Sequence, residues 1–149
     1  MDKAKIREIQ EKGHYYSVPK GISMKPMLQS RENVVDIVPF DGLLKKYDVA
    51  LYYRETTNQY VLHRILEVKQ DCYYFYGDNC WQREIVPHEA VVGVASQFFH
   101  KGAWIPVTDK KYLCYVHLWC DFLPLRRLLF RIRDKIKRII YKHRMRNTD

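Results

Sequence analysis

The sequence predicts a mostly β domain that opens with a short helix and closes with a basic amphipathic helix. Three observations carry that expectation. Short runs rich in Val, Ile, Tyr and Phe are separated by turn residues through the middle of the chain. Ile6 and Ile9 lie among charges near the start, and Leu and Ile recur at helical spacing near the end. A length of 149 residues fits a single buried core, at about one domain per ~150 residues.

The opening helix is expected to stop near Gly13, and Val18 to Pro26 to run extended, because Pro19 and Pro26 bias the residues before them away from helix. Strands are expected at Val34 to Phe40, Val49 to Tyr53, Tyr60 to Val68, Cys72 to Tyr76 and Val91 to Phe99. Asp41-Gly42, Glu55 to Asn58, Lys69 to Asp71 and Gly77 to Asn79 supply the turns between them. Alternation along Tyr60 to Val68 puts His63 and Arg64 on opposite sides of their strand. Past Pro106 the pattern changes. Tyr112 to Trp119 is apolar and aromatic, and Asp121 is a candidate N-cap for a helix bearing Leu125, Leu128, Leu129, Ile132, Ile136, Ile139 and Ile140. The division is therefore a β domain over residues 1–108 and an aromatic segment plus basic helix over 109–149.

The formal net charge is +9, and it is concentrated. From Leu125 to Thr148, ten Lys and Arg residues face one acid, Asp134, so the tail carries the whole excess and the rest of the chain is neutral. Cys72, Cys80, Cys114 and Cys120 form no C-x-x-C pair, and free thiols are expected. The opening residues are charged where a signal peptide would be apolar, and no stretch reaches the ~18 apolar residues of a membrane span. The expected location is cytoplasmic or peripheral at a membrane, with no transmembrane helix and no cleavable signal peptide.

Three short motifs carry chemistry. Ser23 stands in Gly21-Ile-Ser-Met-Lys-Pro26, where a glycine and a proline flank a hydroxyl that could be presented rigidly beside a backbone amide. His63 offers a base, since imidazole titrates near ~6.5 and can take the serine proton and return it to a leaving amine. Gly77-Asp78-Asn79 is at home as a turn, but an acid there can orient an imidazole, and Glu84 six residues on is a second candidate. His14, His88, His100, His117 and His143 lack comparable neighbours.

In order and spacing, Gly-x-Ser-Met-x-Pro, an Asp-Val before a strand, the His-Arg-Ile strand and the Gly-Asp-Asn turn resemble type I signal peptidases and their relatives, the self-cleaving SOS repressors. The resemblance spans about Val18 to Val94. Histidine followed by arginine, as at His63 and Arg64, is similar to the endoplasmic reticulum and archaeal type, where bacterial enzymes generally place a lysine. The resemblance implies coiled β-sheets of the signal-peptidase kind and a serine endopeptidase without metal or cofactor. Ser23 would be the nucleophile and His63 the general base. Asp78 would match the Gly-Asp-Asn aspartate and Glu84 the later catalytic acid, where an aspartate is usual; either carboxylate is a candidate to support His63. The substrate would be a peptide or precursor protein, as in signal peptide processing, lying extended with a small side chain before the scissile bond. Gly21 stands where signal peptidases usually have a serine, as in the repressor branch, and the membrane anchor of signal peptidases is not expected here. These departures leave an alternative, a catalytically inactive peptide-binding module docked by its basic helix. Self-cleavage alone is not expected, because no Ala-Gly type site lies in a linker.

The helix from Leu125 to Tyr141 pairs an apolar face with a basic one, which suits an anionic membrane surface, with Tyr112, Tyr115 and Trp119 at headgroup level. Nucleic acid would attract the same charges, but no DNA-reading motif precedes Ser23.

Overall fold

The structure is a computed structural model and describes residues 3–146. The end of the basic tail, residues 147–149, lies outside them. Helix α1 (Lys3–Lys12) ends where Gly13 turns left-handed at φ +75° and returns its N–H to the Ile9 carbonyl at 3.0 Å, an ending that glycine accommodates without a Cβ clash. Strands β1 (Tyr15–Ser17), β2 (Val34–Val38), β3 (Val49–Arg54), β4 (Gln59–Val68), β5 (Cys72–Tyr76), β6 (Glu84–Pro87), β7 (Val91–His100) and β8 (Ala103–Pro106) follow, then α2 (Lys110–Cys120) and α3 (Leu123–Arg146). All strands join one antiparallel sheet in the order β1-β2-β7-β3-β4-β5-β6, with β8 on the far end of β7. The mostly β reading with terminal helices holds.

Central strand β3 is buried on both sides, so it reads as the continuous run Val-Ala-Leu-Tyr-Tyr instead of alternating. On one face Val49, Leu51 and Leu62 join Val35, Ile37 and Phe98, with Ile9 of α1 and Met24 and Leu28 of the β1–β2 connection. Ile9 is 1% exposed, and its burial stabilises the docking of α1 by about 1.5–3 kcal/mol. On the other face Ala50, Tyr52 and Ile65 join Tyr73, Phe75 and Val86. A third cluster, Leu66, Tyr76, Val116 and Cys120, holds α2 against β4 and β5.

Three sequence expectations are corrected. The segment expected to run extended from Val18 to Pro26 instead coils through turns from Ser23 to Met27, with a cis bond at Lys25–Pro26 and an Ile22 carbonyl that accepts from Lys25 N–H at 3.2 Å. Asp121 stands at the end of α2, two residues before α3 begins at Leu123. Asp109 caps the start of α2, accepting from Lys111 and Tyr112 N–H at 2.9 Å each, while Asp121 closes α2 with its own N–H on the His117 carbonyl at 3.1 Å. Tyr112, Tyr115 and Trp119 do not point to a headgroup layer. Their polar ends are bonded within the domain to Arg64 and Asp78. The four cysteines are unpaired, and among the described residues no helix is long and apolar enough to cross a membrane.

Candidate active site

His63 lies on β4 across from Ala50 of β3, and strand alternation turns its ring to the face of Tyr52, Ile65 and Phe75. It is 5% exposed. Its Nδ1 lies 3.2 Å from the Tyr52 hydroxyl and 3.3 Å from Glu84 Oε1. Glu84 arrives from β6, where it pairs with Phe75 and so shares this face. The Tyr52 hydroxyl gives its one proton to Glu84 Oε2 at 2.8 Å, and Arg54 Nε donates to the same oxygen at 2.8 Å. Tyr52 has no second proton for His63, so the proton at Nδ1 belongs to the imidazole, and Nε2 of the neutral ring is left as an acceptor.

Burial pushes the Glu84 carboxyl up, but hydrogen bonds from His63, Arg54 and Tyr52 outweigh it and hold the group at about 2. The same burial, together with the Glu84 charge, pushes the Tyr52 phenol up, so it remains a donor. Glu84 is therefore an anion across the working range and can stabilise an imidazolium at His63.

Asp78 serves the opposite face. It sits with Arg64, which is fully buried, and accepts from Arg64 Nε and Nη2 at 2.9 Å each in a two-pronged ion pair. Arg64 also donates to the Tyr112 hydroxyl at 2.8 Å and the Tyr47 carbonyl at 3.0 Å, while Tyr115 donates to Asp78 Oδ2 at 3.1 Å. Burial lowers the tendency of Arg64 to hold its proton, yet Asp78 more than offsets this and raises it. Of the two acids considered for His63, Glu84 is the neighbour and Asp78 is the counter-ion of Arg64.

Ser23 is placed by the Gly77–Asn79 turn. Arg64 pairs with Tyr76 and Ile65 with Phe75, so continuing the register by one step sets Gly77 across from His63. A Cβ on Gly77 would fall 2.6 Å from the Ser23 carbonyl oxygen and 3.1 Å from the Ser23 Cβ, so Ser23 fills the space a side chain opposite His63 would occupy. Asn79 fixes it there, with backbone N–H to the Ser23 carbonyl at 2.7 Å and Nδ2 to the Ile22 carbonyl at 3.0 Å. Gly21 is left-handed at φ +91° with open space within 4 Å of where a Cβ would stand, and its N–H donates to Ser30 Oγ at 3.0 Å. The glycine that makes room for Ser23 is Gly77. Ser23 and His63 share a neighbourhood, but no hydrogen bond joins their side chains among the described residues; the ring bonds through Nδ1.

A groove of about 670 Å³ is lined by Tyr15 to Gly21 and Ser23, together with Arg54, Tyr60 and Leu62. Part of this lining is β1, which lies at the end of the sheet path and pairs only with β2. Tyr52 and Arg54 are not singled out by sequence reading; the one signal is that they stand two apart on a strand and so share a face. Among the described residues no cluster of His, Cys, Asp and Glu is suited to a metal ion. A scan against models of protein families and a search of curated proteins each find no match to this chain.

Proposed function

We propose that the protein is a serine endopeptidase of the signal-peptidase-like type, cleaving a peptide or precursor protein at Ser23. One observation carries the reading: Glu84, Tyr52 and His63 form a hydrogen-bonded relay, and the register of β4 on β5 sets His63 across from Gly77, whose missing side chain leaves room for Ser23. His63 Nε2 takes the Ser23 proton as Oγ attacks the scissile carbonyl, and the imidazolium is held by Glu84. The carbonyl oxygen becomes an oxyanion, to which the Ser23 backbone N–H is the candidate donor. His63 returns the proton to the leaving amine, and water then releases the acyl group by the same steps reversed. Substrate binding draws Ser23 and His63 into contact, since catalytic hydrogen bonds in unliganded sites are often long. The groove supports a peptide substrate, because Ser23 lines it together with the edge strand β1, whose free edge can pair with an extended chain.

The missing direct Ser23–His63 bond favours a second reading, a peptide-binding module without turnover. A fluorophosphonate probe on the intact protein separates the two. Peptidase activity gives a label that Ser23→Ala removes and His63→Ala lowers by on the order of a hundredfold or more. An unlabelled native protein that still binds peptides would leave the module reading.

A further inference from the structure

Among the described residues, α3 buries side chains on the domain in its first turns only. Arg126 and Phe130 are buried and Arg133 is half-buried, and no described side chain beyond them is buried. These three lie on one side of the helix. Leu125, Leu129, Ile132, Ile136, Ile139 and Ile140 lie about a quarter turn round from it and form a separate stripe, each between 47% and 60% exposed. The stripe is therefore no part of the core. Arg131, Lys135 and Arg138 border it on one side and Lys137 on the other. The one acid of the helix, Asp134, accepts from Arg133 Nε at 3.0 Å.

We propose that α3 is an interfacial helix that docks this protein on an anionic bilayer surface, with the Leu and Ile stripe in the acyl boundary and the flanking cations at the lipid phosphates. Two features select this occupant. A second copy would bring two helices of the same large positive charge together, ten basic residues against one acid in each. A nucleic acid would satisfy the cations but leave the apolar stripe in water. A bilayer carrying negative headgroups satisfies both at once. The helix is too charged to cross, so it lies in the interface plane. The inference stands on α3 alone and does not depend on the peptidase reading.

Co-sedimentation of the full chain with vesicles tests it. The native protein is expected to pellet with vesicles mixing phosphatidylcholine and phosphatidylglycerol, and to stay in solution with phosphatidylcholine alone. Replacing Ile132 and Ile136 together by Ser keeps every charge and touches only exposed positions. It is expected to weaken binding about tenfold or more, with circular dichroism confirming an unchanged fold. Several results overturn the proposal. Native protein that ignores the mixed vesicles does so directly. Equal binding of the double serine variant reduces the contact to adsorption by charge. Self-association abolished by the serine changes, without vesicle binding, assigns the stripe to a second copy. Binding to single-stranded RNA as tight as to vesicles and indifferent to the serine changes assigns the helix to nucleic acid.

Discussion

The backbone N–H of Asn79 meets the carbonyl of Ser23 at 2.7 Å, so the Gly-Asp-Asn turn and the candidate nucleophile are one rigid unit. The same turn is gripped from behind by α3. Arg126 Nη2 donates to the carbonyls of Gly77 at 3.3 Å and Cys80 at 3.0 Å, and Arg133 Nη1 donates to Asn79 Oδ1 at 2.6 Å. The basic tail therefore has an inner side that positions the site as well as an outer side that faces solvent.

Gly77→Ala is expected to damage the site more than any other single methyl group. Its Cβ would press on the Ser23 carbonyl oxygen at 2.6 Å and Cys80 Sγ at 2.9 Å, and a backbone oxygen cannot swing away. Overpacking of this kind costs about 1–3 kcal/mol, and displacement of Ser23 is expected to lower turnover by on the order of a hundredfold. Thermal unfolding and peptide cleavage on one preparation check both numbers.

Glu84→Gln and Asp78→Ala are expected to fail in different ways. Removing the Asp78 carboxylate strands the buried Arg64 guanidinium, at a cost of about 3–5 kcal/mol in stability. Glu84→Gln leaves a half-exposed site folded but takes the anion from His63, and is expected to reduce kcat by about 10²–10⁴-fold with a smaller change in melting temperature. Equal loss of stability in both variants would contradict the face assignment.

Acid sensitivity follows from the same carboxylate. Glu84 is held at about 2 in the folded chain, whereas a glutamate in the unfolded chain titrates near ~4.3. A depressed folded value means that its contribution is complete above ~4.3 and is lost as the pH falls towards about 2. Urea midpoints of the native protein and Glu84→Gln are therefore expected to differ most at neutral pH and to converge across that window.

Arg133→Ala is expected to lower kcat by about tenfold while leaving the melting temperature within a few degrees. The side chain is half-exposed and its bond to Asn79 orders the turn more than it stabilises the core. Lysine at this position restores a donor without the flat guanidinium and is expected to recover part of the rate.

Much of this arrangement was legible in the residues themselves. The strand runs from Val34 to Phe99 fell within a residue or two of their expected bounds, because β-branched and aromatic positions end at turn residues that cannot continue a ladder. The opposition of His63 and Arg64 was legible from period alone. Their partners were not, since choosing Glu84 over Asp78 requires the register of β5 on β4 and β6 on β5. Strands β1, β6 and β8 were unexpected for local reasons: three or four residues are too few to show alternation, and Glu84 and Pro87 are poor strand formers. Val18 to Pro26 is expected to be extended from the influence of proline on its predecessor, whereas packing of Met24 and Leu28 into the core draws Ser23 to Met27 into turns.

Because adjacent positions of β4 answer to opposite sides of the sheet, the spacing between His63-Arg64 and the carboxylates is a matter of odd and even. One residue inserted inside Cys72 to Tyr76, and not taken up by a bulge, would carry Asp78 to the imidazole and leave the guanidinium facing glycine or asparagine without its counter-ion. Length variation in this hairpin has to come in steps of two or be taken up by a bulge, as the extra residue between Ile65 and Glu67 already is.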